Sequence, residues 1–263
     1  MFKKPIIQVT LARVLLVLLT ASLFVFPACS ETHRTPAELL RAAIIDQLYS
    51  IQPNKAFIRE TKDVLGAYGF EVDLYQGDEV NVDFYRQLPG CGYKLIIFRA
   101  HSGLLGSKGK IVKRTCLFTN EPYSESKHIS EQLSDQLAMA RIDEHHPWVF
   151  GIGSEFVTQN MKGEFDNALI IMMGCSCIYL PDLAEAFVEK GASAYLAWDA
   201  SVSLDYVDKA TLYLIKQLCV EKVTTKKAVT STMNVVGPDP KYKAVLKYFP
   251  QSSGDETLEQ LIG

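Results

Sequence analysis

No block of Lys and Arg runs through this chain: 27 basic residues stand against 30 acidic ones, for a formal net charge of -3. Without a continuous positive stripe there is nothing to track a phosphate backbone, and nucleic-acid binding is disfavoured. No glycine-rich loop follows the first apolar run and no GxSxG turn occurs, which removes the usual signals of nucleotide binding and of serine hydrolases. The cysteines, Cys29, Cys91, Cys116, Cys175, Cys177 and Cys219, show no CxxC spacing. Neither a structural zinc site nor a dense disulfide framework is indicated, and at least one thiol is expected to stay free. His145 and His146 stand beside Asp143 and Glu144 in DEHHPW. Adjacent residues rarely converge on one ion, so this segment reads as a loop, with no metal and no cofactor called for. Internal repeats and low-complexity tracts are absent too.

What is present begins with an export signal. Lys3, Lys4 and Arg13 precede an apolar run from Val14 to Phe26, interrupted only by Thr20, Ala21 and Ser22, and Ala28 closes it before Cys29. Charged, then apolar, then small is the order of a secretory signal peptide, here residues 1–29. A membrane-spanning helix needs about 20 mostly apolar residues, and the run after Arg13 is shorter. Cleavage is therefore expected, with the mature chain secreted or associated with the cell envelope. Cys29 after Ala28 also resembles the lipid-modified cysteine of bacterial lipoproteins, although Phe26 and Pro27 are unusual there. Lipidation of Cys29, which would hold the domain at a membrane surface, stays an alternative.

Removing the signal leaves roughly 230 residues, enough for one α/β domain with a sizeable core, placed at 37–263. Ala42 to Tyr49 is an apolar run that reads as strand or helix. Asn54 to Ala67 sets Phe57, Ile58, Thr61, Val64 and Leu65 on one helical face, and Gly69 stops the helix. Phe70 to Tyr75 alternates as a half-buried strand, while Tyr93 to Arg99, Ala168 to Met173 and Ala192 to Trp198 are apolar strand runs. Pro181 to Lys190, Asp205 to Cys219 and Thr224 to Val235 read as helices, and Ala244 to Phe249 as a last strand before a polar tail. Apolar strands alternating with amphipathic helices imply βαβ units and a mostly parallel sheet covered on both faces. In the middle, Gly103 to Arg114, rich in Gly, Ser and Lys, reads as a mobile loop whose Lys108, Lys110, Lys113 and Arg114 invite either solvation or proteolytic processing. Thr115 to Glu121 reads as a hairpin arm and Lys127 to Arg141 as helical.

Ligands of parallel α/β sheets bind beyond the carboxyl ends of the strands. There one run ends in Arg99-Ala100-His101-Ser102-Gly103 and another in Met173-Gly174-Cys175-Ser176-Cys177. If the two strands are neighbours, His101 and Cys175 share one sheet edge, and an imidazole that takes a thiol proton makes a nucleophile. The bland alternative is a tight strand-to-helix turn whose small residues happen to be cysteines.

With those residues in view, the chain resembles the caspase-like cysteine peptidases, the group of caspases, legumain, clostripain, gingipains and CHAT domains. The resemblance runs from about Ala42 to Leu218. It rests on LIIFRAHSG, on ALIIMMGCSC and on LAEAFVEKGASAYLAWDASV. It implies a caspase-like three-layer α/β sandwich with a mostly parallel central sheet, peptide-bond hydrolysis by a Cys175/His101 dyad, and a peptide or protein substrate. The family places Gly directly after the His, where its N–H helps to bind the oxyanion. Here Ser102 stands in that place and Gly103 follows, leaving the Cys175 N–H as the donor. The resemblance also implies that acidic groups at strand ends, here Asp46 and Asp199, contact a basic substrate residue; helix capping or a plain surface charge is the other reading of each. Gly103 is placed with them as a substrate-binding position. A non-catalytic caspase-like binding or scaffold domain at the cell surface is the alternative function.

Overall fold

The computed structural model describes residues 40–107 and 110–263. The segment 1–29 with Cys29, the first residues of the 37–263 domain, Lys108, and the side chains of Lys110 and Lys113 lie outside the described residues. From Arg41 the chain runs through β1 (Arg41–Asp46), α1 (Lys55–Tyr68), β2 (Glu71–Gln76), α2 (Val82–Gln87) and β3 (Leu95–Arg99). An excursion follows: β4 (Ser102–Ser107), β5 (Lys110–Pro122), α3 (Ile129–Leu133), β6 (Leu137–Ala140), β7 (Val149–Gly153) and α4 (Ser154–Gln159). The chain then returns through β8 (Ala168–Met172), α5 (Asp182–Glu189), β9 (Ala192–Trp198), α6 (Leu204–Cys219), α7 (Thr225–Val235), β10 (Leu246–Phe249) and α8 (Leu258–Ile262).

The central sheet has the order β10-β9-β8-β3-β1-β2. All its pairings are parallel except that of β10 with β9. Because successive strand residues face opposite ways, an apolar run feeds two cores at once. Ala43, Ile45, Ile96, Phe98, Ile170 and Met172 face one core, shared with Phe156 of α4 and Phe187 of α5. Ala42, Ile44, Leu95, Ile97, Leu169 and Ile171 face the other, beneath α1, α6, α7 and α8. The result is a three-layer α/β sandwich with a mostly parallel central sheet.

Local chemistry sets the element ends. Asn54 caps α1 by accepting the Phe57 N–H at 3.0 Å, and Gly69 closes it at a φ of 116°, which favours a residue without a Cβ. Helix α1 packs Phe57, Ile58, Thr61 and Leu65 onto the sheet, following the apolar stripe seen in the sequence.

Three expectations are corrected. The described residues of Gly103 to Arg114 are strand, not loop. They contribute to β4 and the start of β5, paired antiparallel with Ser102 opposite Leu117 and Gly103 opposite Cys116. Their composition disfavours a strand, but the partner strand supplies the pairing that local preference does not. Lys127 to Arg141 is not one helix: Asp135 takes a φ of 57°, and Leu137–Ala140 then pairs with β7. The tail is not a plain polar segment, since α8 buries Leu258, Leu261 and Ile262. The excursion as a whole forms a second, antiparallel sheet of order β4-β5-β7-β6. Among the described residues no helix is long and apolar enough to cross a membrane.

Candidate active site

Strands β3 and β8 are neighbours, and their register sets Phe98 opposite Met172. His101 and Cys175 each lie three residues beyond that pair, so the two leave the sheet at the same level on adjacent strands. Both line one cleft of about 870 Å³. Gly103 and Cys116 of the second sheet form part of its wall, as do Arg141 and Trp148.

His101 is held by its main chain. Its N–H donates to Gln47 Oε1 at 2.9 Å, and its carbonyl accepts the Phe118 N–H at 2.9 Å. The ring lies 6.1 Å from that of Phe118. Its Nε2 is buried and meets no hydrogen-bond partner among the described residues. Burial, then the nearby His146 and Arg99, lower the imidazole to about 4, so the ring is neutral at pH 7.

Cys175 sits in the turn after β8. Ser176 follows it in the left-handed region, at φ 55°, where non-glycine residues are strained, and the Ser176 N–H is taken by the Ala200 carbonyl at 2.9 Å. The Cys175 sulfur is half-buried; it receives the Val202 N–H at 3.3 Å and donates to the Val202 carbonyl at 3.8 Å. Cys177 is different in kind. It is wholly buried, its thiol points to Ser102 Oγ at 2.9 Å, and burial pushes that thiol up to about 12. Of the two cysteines, only Cys175 borders the cleft.

The acidic strand-end residues are occupied elsewhere. Asp46 is wholly buried, with Oδ1 on Arg99 Nη1 at 2.8 Å and Oδ2 accepting from Gln76 at 3.0 Å. It does not border the cleft that holds His101 and Cys175. Asp199 closes β9 by accepting the Val245 N–H at 2.8 Å and pairing with Lys247 at 2.8 Å, which ties it to the segment entering β10. Gly103 does border the cleft, and a Cβ there would meet nothing within 4 Å.

Some residues of the site have no sequence signal. Gln47 ties the His101 strand end to β5: besides accepting the His101 N–H, its amide donates to Asn120 Oδ1 at 2.8 Å and to the Thr119 carbonyl at 3.5 Å. The DEHHPW loop forms a rim, with Asp143 bonded to His146 Nδ1 at 2.7 Å and the Arg141 guanidinium 4.2 Å from the Trp148 ring centroid. The hydrogen bond from His146 holds the Asp143 carboxyl below its usual range. A loop reading of these residues is right about their backbone and silent about the cleft they face.

No family model matches this chain, and no curated protein does. Among solved structures it is similar to the Arg-specific cysteine proteinase gingipain R, with a TM-score of 0.38, 14% identity, and coverage of 84% of this chain and 45% of that one. It is similar also to the complex of Porphyromonas gingivalis RgpB pro- and mature domains, with a TM-score of 0.41, 14% identity, and coverage of 84% and 46%. This chain spans less than half the length of either.

Proposed function

We propose that this chain is a cysteine peptidase that works outside the cytoplasm and cleaves a peptide or protein substrate with Cys175 and His101. The observation that carries the reading is the level placement of the two residues on adjacent strands, lining one cleft. The Cys175 thiol attacks the substrate carbonyl carbon and its proton passes to the neutral His101 ring. The amine leaves with that proton, and water then hydrolyses the thioester. The oxyanion is received by the Cys175 N–H, which has no acceptor among the described residues, as an acyl-transfer site requires. The charged, apolar, small-residue order of residues 1–29 supports a site of action beyond the membrane, and lipidation at Cys29 would keep it at the membrane surface.

The test is to incubate the protein with a thiol-reactive probe and a peptide library, beside Cys175→Ala and His101→Ala. Both variants are expected to lose cleavage, and Cys175→Ala to lose labelling. Equal cleavage and labelling by all three proteins would sink the reading. One observation favours a second reading, a binding or scaffold domain: the Cys175 sulfur is hydrogen-bonded to the Val202 backbone on both counts. Retained peptide binding by the unaltered protein without turnover would support it.

A further inference from the structure

Ser102 is where the chain departs from the caspase-like His-Gly pattern, and its surroundings show what the serine does. It directly follows His101 and is buried. Its hydroxyl donates to the carbonyl oxygen of Cys175 itself at 2.6 Å and receives the Cys177 thiol at 2.9 Å. Tyr195, buried under the same turn, donates to the Cys177 carbonyl at 3.0 Å. The turn is shaped around the serine. A Cβ on Gly174 would lie 2.7 Å from the Ala100 carbonyl oxygen and closer still to the Ser102 hydroxyl. The backbone contact alone keeps residue 174 a glycine, and the Ser102 hydroxyl occupies the space that the missing side chain leaves.

We propose that Ser102 is a positioning residue that couples the His101 strand end to the Cys175 turn, so that one buried hydroxyl sets the separation of the two reacting groups. The inference rests on the peptidase reading for its consequence, but not for its geometry. Two chain ends that leave neighbouring strands have no covalent reason to stay at a fixed spacing. A hydrogen bond between the residue after one and the carbonyl of the other supplies that constraint. The Cys177 thiol keeps the Ser102 hydroxyl turned toward Cys175, because it fills the acceptor side of the same oxygen.

The test compares Ser102→Ala and Ser102→Thr with the unaltered protein in two assays, peptide turnover and the rate of Cys175 alkylation by iodoacetamide. Ser102→Ala is expected to lower kcat roughly tenfold with KM within about twofold, and to change the alkylation rate several-fold, in line with the loss of a buried hydrogen bond. Ser102→Thr, which keeps the hydroxyl, is expected to recover most of both. Thr232→Ala is the control for lost stability. It removes another buried hydroxyl, bonded to the Ala228 carbonyl at 2.8 Å on α7, and should leave both assays unchanged. Unchanged kcat and alkylation in Ser102→Ala, or an equal fall in Thr232→Ala, would overturn the proposal. If the unaltered protein cleaves no peptide, the peptidase reading fails alone, and the alkylation arm still decides the role of Ser102.

Discussion

Arg99 and Asp208 form a two-pronged ion pair through the second core, Nε to Oδ1 at 2.8 Å and Nη2 to Oδ2 at 2.9 Å, with both side chains almost sealed from solvent. The same guanidinium reaches Asp46 at 2.8 Å and the Gln52 carbonyl at 2.9 Å. One cation thus joins β1, β3, α6 and the turn after β1, directly below the strand end that carries His101. Removing it would leave two carboxylates buried without a counter-charge. Arg99→Met is expected to destabilise the fold by roughly 3–5 kcal/mol, read as a fall in the urea midpoint. A change below about 1 kcal/mol would show that the pair is not what holds these elements.

The His101 ring makes stability depend on pH in a defined window. Its folded value of about 4 lies below the 6.5 of a free imidazole, so between those values the unfolded chain binds a proton that the folded chain refuses. Stability therefore rises with pH through this window and is lost as pH falls from 6.5 toward 4. The part due to His101 is on the order of 3 kcal/mol at its largest. Comparing urea midpoints at pH 7 and pH 5 for the unaltered protein and His101→Phe measures it. The variant should show a smaller difference, and an identical one would refute the assignment.

The thiols should separate sharply by reactivity. Burial pushes Cys116, Cys177 and Cys219 up to about 12, whereas Cys175 is half-buried at the cleft. In the folded protein at pH 7.5, Cys175 should be alkylated at least about 100-fold faster than these three, since the thiolate is the reacting form. Peptide mass mapping after short exposure reads this out, and earlier labelling of Cys177 would exchange their roles.

Gly174 is expected to tolerate no side chain. Alanine there collides with the Ala100 backbone and with Ser102, and backbone cannot swing aside as a flexible side chain can. Gly174→Ala should destabilise by about 1–3 kcal/mol and displace the Cys175 turn, so loss of turnover should exceed what the fall in melting temperature explains. Normal turnover with normal stability would contradict the packing described for this turn.

Much of the scaffold was legible in the chain. The runs that became β3, β8 and β9 are apolar throughout because each faces two cores, and such a run has few other places to go. The stripe of α1 and its Asn54 and Gly69 ends were equally plain, as local chemistry sets them. The segments that misled were those whose conformation depends on a distant partner. Residues 103–107 are strand because β5 lies beside them, and Leu137–Ala140 because β7 does. Asp46 invited a substrate role by its place at a strand end, but whether a carboxylate is open to a ligand depends on what else reaches it, and Arg99, 53 positions away, reaches it first.

His101 and Cys175 could be singled out from composition and strand ends alone, because sequence order and alternation along a strand are local properties. That they stand level, that Cys177 is sealed beneath them and that Ser102 ties one to the other were decided by the register of β3 against β8 and by the packing of a turn against a strand end. Those are contacts between residues more than seventy positions apart. Their energies exist only once the sheet has closed, so no stretch of the chain records them by itself.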